Sequence, residues 1–302
     1  MQVDCNVPAA LIAGLAKVCR TPEDRVARLD LRNQFPNAPG WAFHPATYKV
    51  ASDKSFQRSG ISIPSCYACL LDHESGTPPH WEAIWALSFV PRCPKHHMVL
   101  SQYCRHCLLG LLSVGSHSQH AFVVRCMTCF QGSVHPPLAD IGGSSGRTQL
   151  VVAMEQALVS ACKGVDPAPM WVGPVPADTF LAVVADLIWI LMDAHLDCGG
   201  PATQLEISTI ERRIWRRPFN LLSPWHRELL VAAVGVALLG ARALSKFDIP
   251  LTVAIADLDS YPFFPAFTNA SGDTRREMLR RFDGWPPILR ERALRSVNGK
   301  TA

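Results

Sequence analysis

The chain has few charged residues and no long apolar run, and each shortage excludes a class of protein. Of its 302 residues, 18% are charged and 48% are hydrophobic. This balance excludes a disordered chain, and it also excludes a charge-rich tail or a coiled coil. Asp186 interrupts the richest apolar run, residues 179–192. No stretch therefore reaches the roughly 20 apolar residues that a membrane span needs.

A secretory signal and a strong charge excess are also missing. The first residues include Asp4 and show no basic segment before an apolar core. We therefore predict a cytoplasmic protein with no membrane partner. The net charge of +4 is too small to establish a nucleic-acid partner by itself. The basic excess lies in residues 201–302, which hold 15 Lys and Arg against 10 Asp and Glu.

Cysteine, in contrast, is abundant and clustered. Seven of the eleven Cys combine with one His into four pairs within residues 66–129, and each pair has two residues between its members. This spacing lets a tight turn aim both side chains at one ion, and thiolate together with imidazole selects zinc. The eight predicted ligands are Cys66, Cys69, Cys93, His96, Cys104, Cys107, Cys126 and Cys129.

Eight protein ligands complete two tetrahedral sites, so we predict two structural Zn²⁺ ions and no catalytic residue. A catalytic zinc would keep one position open for water. His97 is a rival to His96 as the imidazole ligand. Trp81 and Trp85 are four residues apart and share a helix face, for which we favour core packing over a platform for a partner. We predict buried free thiols at the remaining cysteines, Cys5, Cys19, Cys162 and Cys198.

The N-terminal sequence predicts short helices followed by a loop. Apolar residues recur at helical spacing within residues 8–31. Thr21 is expected to cap a second helix there, with Pro22 in its first turn. Residues 33–48 are rich in Pro, Asn and Gly, which predicts a loop.

The whole sequence predicts a mostly α fold around a central pair of small, zinc-ribbon-like fingers. Residues 1–60 form a short helical region, for which a remnant helix-turn-helix is one interpretation. Residues 61–132 form the tandem finger module, residues 133–148 a linker, and residues 149–302 a helical C-terminal domain. Apolar spacing and Pro positions predict C-terminal helices at residues 148–162, 176–197, 205–217, 223–243 and 285–296.

Arginine is grouped in the C-terminal third, which indicates a surface for phosphate or a partner. The guanidinium group suits phosphate contact, and a neighbouring aromatic ring such as Trp215 can stack on a base. The alternative is a solvated helix face with ion pairs, for example to Glu211 or Glu277. The first candidate contact residues are Arg212, Arg213, Arg216, Arg217, Arg275 and Arg276, and further arginines follow at Arg280, Arg281, Arg290, Arg292 and Arg295.

The finger sequence resembles the TniQ family, which includes TnsD-like proteins and pairs a helix-turn-helix region with two zinc fingers. The family pattern is roughly C-P-x-C-L, a Trp, C-P-x-H-G, a Leu, C-P-x-C and a final C-x-x-C. His97 stands where the pattern has Gly, and Tyr67 and Arg105 stand where it has Pro. Gly284-Trp285-Pro286 is also similar to a motif near the end of such proteins. The matching positions are Cys66, Cys69, Leu70, Trp85, Cys93, Pro94, His96, Leu100, Cys104, Cys107, Cys126 and Cys129.

The resemblance implies a role in target-site selection during DNA transposition. Members of the family are not transposases. They recognise a target, either through its DNA sequence or through an RNA-guided complex, and they recruit an AAA+ ATPase regulator. On this basis we expect a non-enzymatic adaptor with these partners, and a homodimer stays open.

Two alternatives are a RING module, which uses the same eight ligands, and a zinc deaminase. A cross-braced RING module, which acts in protein–protein interaction, would place Cys66 and Cys69 on one ion with Cys104 and Cys107. Sequential pairing places them with Cys93 and His96 instead. A zinc deaminase would need a His-x-Glu upstream of a Pro-Cys-x-x-Cys, and no such segment precedes Cys66. The sequence therefore favours a structural metal module, and ligand pairing separates its two forms.

Overall fold

The computed structural model is mostly helical and divides into two compact units, residues 1–141 and 142–302. Helices are numbered here among the described residues alone. The structure describes residues 8–28, 30–44, 64–71, 82–101, 112–118, 121–126, 146–167, 175–193, 218–239 and 271–298.

The first unit begins with short helices, as the sequence predicts. Helix α1 spans Ala9–Cys19, α2 spans Glu23–Ala27 and α3 spans Leu31–Gln34. Helix α1 ends because Arg20 adopts the left-handed conformation, with φ of 50°, and its N–H bonds back to the last turn.

The predicted N-cap of α2 is wrong by one residue. Pro22, and not Thr21, precedes the helix, and no side chain caps it. The Thr21 hydroxyl donates instead to the carbonyl of Cys19, 3.1 Å away. Only three residues join the two helices, so Thr21 lies close to the end of α1.

A short paired segment joins the N-terminal helices to the finger region. The 3₁₀ helix Gly40–Ala42 lies within the predicted loop, and Phe43 pairs with Leu87 in an antiparallel bridge. His44 N–H donates to the carbonyl of Ala86 at 2.9 Å. The rest of the finger region contains α4 (Tyr67–Leu71), the 3₁₀ helix Ala83–Ala86, and an antiparallel hairpin of β1 (Leu112–Ser118) and β2 (Ala121–Cys126).

Trp85 is fully buried in the first unit, which confirms core packing for that residue. It lies in a 3₁₀ helix, and its predicted companion Trp81 lies outside the described residues. The prediction of buried thiols is confirmed for Cys162 and wrong for Cys19, which is exposed. Cys19 is the last residue of α1, and the only residue this helix fully buries is Ala16. Cys5 and Cys198 lie outside the described residues.

The described residues of the second unit form helices. The predicted helices at 148–162, 176–197, 223–243 and 285–296 are confirmed over their described parts, and the one predicted at 205–217 lies outside the described residues. The sequence prediction missed the helix Gly272–Phe282, whose first turn is capped by the Ser271 hydroxyl. The helices are α5 (Gly146–Cys162), α6 (Ala177–Asp193), α7 (Pro224–Leu239), α8 (Gly272–Phe282) and α9 (Pro287–Val297), and the 3₁₀ helix Phe219–Leu221 precedes α7.

Helix α7 lies at the centre of this unit and packs against both α5 and α6. Nearly all its residues are buried, including Arg227 and Glu228. From Leu229 onwards the helix is apolar all round, and such a helix is expected to be buried. Gly235 allows the close approach to α5. A Cβ at this position would lie 2.8 Å from Leu150 and 3.1 Å from Met154.

We predict opposite effects for the same substitution at two helical glycines. Gly→Ala favours a helix by about 1 kcal/mol, and overpacking a core costs about 1–3 kcal/mol. Gly14→Ala is expected to raise the melting temperature of the first unit, because its Cβ would meet nothing within 4 Å. Gly235→Ala is expected to lower that of the second unit. Thermal unfolding followed by circular dichroism tests both, and equal shifts of one sign would contradict the close approach at Gly235.

Candidate metal centre

Four of the eight predicted ligands converge in the first unit. The ligand atoms of Cys66, Cys69, Cys93 and His96 all lie within 4.8 Å of one another. The Nδ1 atom of His96 is 3.2 Å from the Cys69 Sγ and 3.5 Å from the Cys66 Sγ. It is 3.7 Å from the Cys93 Sγ, and the Cys69 and Cys93 sulfurs are 3.5 Å apart.

These separations fit a tetrahedral zinc ion. Zinc–sulfur distances of about 2.3 Å and zinc–nitrogen distances of about 2.0 Å place neighbouring ligand atoms about 3.5–3.8 Å apart. Three soft sulfurs and one imidazole are a donor set typical of zinc. These four residues would hold the ion, and four protein ligands would fill its coordination. Such an ion supplies folding free energy to the segment around it.

The first ligand pair lies on a helical turn. Helix α4 begins directly after Cys66, whose carbonyl accepts from the Leu70 N–H at 3.0 Å, so Cys69 faces the same side one turn later. Ser65 and Ser101 bond to each other in both directions at 2.9 Å. This bridge connects the residue before the first ligand pair to a residue that follows the second ligand pair.

The second ligand pair lies on a tight turn between Arg92 and Val99, which pair in an antiparallel bridge. The His96 N–H points at the Cys93 Sγ, 3.4 Å away, in the manner of a zinc knuckle. The His97 N–H donates to the carbonyl of Cys93 at 2.7 Å and closes the turn. His96, and not its rival His97, therefore belongs to the ligand cluster.

His97 adopts a left-handed backbone conformation, with φ of 53°. Glycine takes this conformation without strain, and other residues take it at a cost. The buried Arg92 donates to the carbonyl of His97 at 2.7 Å and holds the turn in place.

The three thiols share their protons unevenly. Cys66 donates to Cys93, and this contact lowers the pKa of Cys93 to about 4. The same contact raises the pKa of Cys66, and burial raises the pKa of Cys69 to about 11. Only one of the three sulfurs is thus stabilised as a thiolate by the protein alone. A divalent cation held by the cluster would supply the charge that stabilises the other two sulfurs as thiolates.

The remaining four predicted ligands are only partly placed. Cys104, Cys107 and Cys129 lie outside the described residues, and Cys126 is the last residue of β2. In the hairpin, Cys126 pairs with Leu112, which follows Cys107 by five residues in the sequence. The hairpin therefore brings Cys126 beside a residue that follows the third ligand pair closely in the sequence.

The candidate arginines are described only in part. Arg212, Arg213, Arg216 and Arg217 lie outside the described residues, Arg275 is half-buried, and Arg276 is exposed. Each of the four acidic residues in 271–298 pairs with an arginine. The pairs are Asp273 with Arg276, Glu277 with Arg280 and Arg281, Asp283 with Arg290, and Glu291 with Arg295.

These pairs confirm the ion-pair interpretation of Glu277. Hydrogen bonds from Arg280 and Arg281 lower the pKa of Glu277 to about 2. Exposed pairs of this kind contribute little to stability. An arginine in an exposed ion pair can bind a phosphate in place of the carboxylate. A nucleic-acid contact at Arg275 and Arg276 therefore stays a prediction.

Asp186 carries a polar cluster that the sequence prediction missed. Its carboxylate accepts from Arg281 at 2.6 Å and from the Trp285 indole N–H at 2.9 Å. The Arg281 guanidinium also lies 4.3 Å from the centre of the Trp189 ring. The only signal in the sequence is a carboxylate inside an apolar helix, which requires a partner that the sequence does not name.

Comparison with known proteins identifies no relative of this chain. No protein-family model, no curated protein and no solved structure matches it. In the described parts of the chain, no helix combines the length and apolar character needed to cross a membrane.

We predict that Cys69→Ser removes one zinc ion per chain. Serine cannot replace the thiolate, and binding in small zinc fingers is worth about 10–16 kcal/mol. Cys162→Ser is the matched control, because Cys162 is a free thiol in the second unit. Metal analysis of the purified variants checks this prediction. The same zinc content in Cys69→Ser as in the unmodified chain would contradict the site.

We also predict that His97→Gly stabilises the finger by about 1 kcal/mol, because it removes the strain of the left-handed conformation. His97→Ala separates the backbone effect from the loss of the imidazole, since Ala keeps the Cβ. The measurement is the zinc concentration at half-saturation in a competition with a chelator. Equal behaviour of the Gly and Ala variants would show that the backbone at residue 97 is unstrained.

Proposed function

We propose that the chain is a non-enzymatic, zinc-binding adaptor for target-site selection in DNA transposition. It recognises target DNA or an RNA-guided complex and recruits an AAA+ ATPase regulator. The observation that carries the proposal is the convergence of Cys66, Cys69, Cys93 and His96, which are consecutive ligands of the TniQ-like pattern. The proposed set of ions is two structural Zn²⁺, the second on Cys104, Cys107, Cys126 and Cys129.

Ligand pairing favours this proposal over a RING module. A cross-braced module would join Cys66 and Cys69 to the third ligand pair, whereas here they meet Cys93 and His96, the second pair. Sequential pairing is the arrangement of two fingers in tandem. The β1–β2 hairpin, which ends at Cys126, supports the proposal of a second finger with its own backbone pairing.

An adaptor also agrees with the chemistry of the first site. Four protein ligands would leave no position for a water molecule, so the ion would not activate a nucleophile. The cluster is mostly buried, with Cys66 and Cys93 each 1% exposed. Its contribution is therefore the rigidity of the surface around it.

We predict that the tagged chain, purified from cells that express it naturally, carries an AAA+ ATPase with it. Cys69→Ser is expected to lose this partner, because the finger that it disrupts supports the recruiting surface, and Cys162→Ser is expected to keep it. Mass spectrometry of the co-purified proteins is the measurement. A ubiquitin-conjugating enzyme in place of the ATPase would support the RING alternative, and recovery of neither would overturn the adaptor proposal.

A further inference from the structure

The four residues of the candidate metal centre differ in how far solvent reaches them. Cys66 and Cys93 are each 1% exposed, whereas Cys69 and His96 are partly exposed. Small oxidants such as peroxides act on the thiolate sulfur of cysteine, and an imidazole ligand is not their target. Cys69 is therefore the one ligand of this centre that a small oxidant can both reach and oxidise.

Backbone hydrogen bonds distinguish the same sulfur. The Cys66 Sγ accepts from the Cys69 N–H, and the Cys93 Sγ accepts from the His96 N–H. Such bonds withdraw charge from a thiolate and make it a weaker nucleophile. Within the described residues, no backbone N–H donates to the Cys69 Sγ, whose hydrogen-bond contacts are with side chains of the other ligands. This sulfur therefore keeps more of its charge for an attack on an oxidant.

A second sulfur lies close enough to Cys69 to complete a disulfide. The Sγ atoms of Cys69 and Cys93 are 3.5 Å apart, and a disulfide requires about 2.0 Å. The two residues belong to different ligand pairs, so a bond between them takes one ligand from each turn. Only Cys66 and His96 would then be left to hold the ion, and zinc requires four ligands.

We propose that Cys69 is a site of oxidative modification, at which a peroxide releases the metal ion by linking Cys69 to Cys93. This proposal rests on the metal centre and does not depend on the proposed role in transposition. Oxidation would remove the contribution of the ion to the folding of the surrounding segment. The first finger would thus respond to the redox state of its surroundings.

The reaction has two steps and consumes one molecule of hydrogen peroxide. The Cys69 thiolate attacks a peroxide oxygen, the O–O bond breaks, hydroxide leaves, and the sulfur becomes a sulfenic acid. The Cys93 thiolate then attacks the Cys69 sulfur, so that the S–S bond forms, the S–O bond breaks and a second hydroxide leaves. The two sulfurs together lose two electrons, and the peroxide gains them.

Hydrogen peroxide added to the zinc-loaded full chain tests the proposal. Released zinc is measured with a chromophoric chelator, and the disulfide is located by mass spectrometry of a digest that has not been reduced. We expect the Cys69–Cys93 disulfide to form in step with the release of zinc. Dithiothreitol with added zinc should restore the loaded form, because thiol–disulfide exchange reverses the link. The buried Cys162 should stay unmodified.

A substitution that keeps the metal ion gives the sharper result. Cys69→His exchanges a sulfur ligand for a nitrogen ligand, so two Cys and two His should still hold zinc. Peroxide should oxidise Cys66 and Cys93 at least about tenfold more slowly in this variant than in the unmodified chain, because both are buried. Cys19→Ser is the matched control, since it removes an exposed thiol outside the centre and should leave these rates unchanged.

Zinc analysis before oxidation separates this proposal from the metal centre itself. No zinc at this centre in the unmodified chain would overturn both. Zinc that stays bound at a peroxide concentration that oxidises the exposed Cys19 would overturn the redox proposal alone. A disulfide between Cys66 and Cys69, a disulfide between two chains, or a sulfinic acid without a disulfide would also overturn it. If Cys69→His does not hold zinc, the disulfide mapped in the unmodified chain decides.

Discussion

Three thiols and an imidazole meet at one point of the first unit, and the local structure depends on that convergence. Their ligand atoms lie within 4.8 Å of one another. Three thiolates at this distance repel each other, and three thiols offer few hydrogen bonds in return for their burial. A soft divalent cation would resolve both problems, because it would neutralise the thiolates and bind all four ligand atoms. The turns at Cys66–Cys69 and Cys93–His96 are the geometry that this cation requires.

The finger also supports the N-terminal helices. Ser88 donates its N–H to the carbonyl of Ala42 at 2.6 Å and its hydroxyl to the carbonyl of Trp41 at 2.8 Å. The rings of Trp41 and Phe89 pack 6.2 Å apart. Further along, Arg32 lies 5.3 Å from the centre of the Phe43 ring. These contacts extend from Ser88 and Phe89, shortly before the second ligand pair, to Arg32 on α3. Loss of the ion would therefore destabilise residues beyond its ligands.

Local features were predictable from the sequence, and pairings between distant segments were not. The Cys-x-x-Cys and Cys-x-x-His spacings identify ligands because both members of a pair lie on one turn. Which pairs share an ion depends on the path of the chain between them. Helix α8 was missed because its core face consists of Met278 and Phe282, too few apolar residues to show a period. For Asp186, the partners Arg281 and Trp285 lie almost a hundred residues away.

When consecutive ligand pairs share an ion, loss of that ion affects one contiguous segment of the finger module. An ion held by residues 66–96 closes one contiguous segment of chain, so that segment can form without ligands from residues 104–129. In a cross-braced module each ion would join two separated segments, and the loss of either ion would release both. The hairpin that sets Cys126 beside Leu112 organises the later segment through its own backbone bonds. Loss of the first ion should therefore leave the backbone pairing of the β1–β2 hairpin intact.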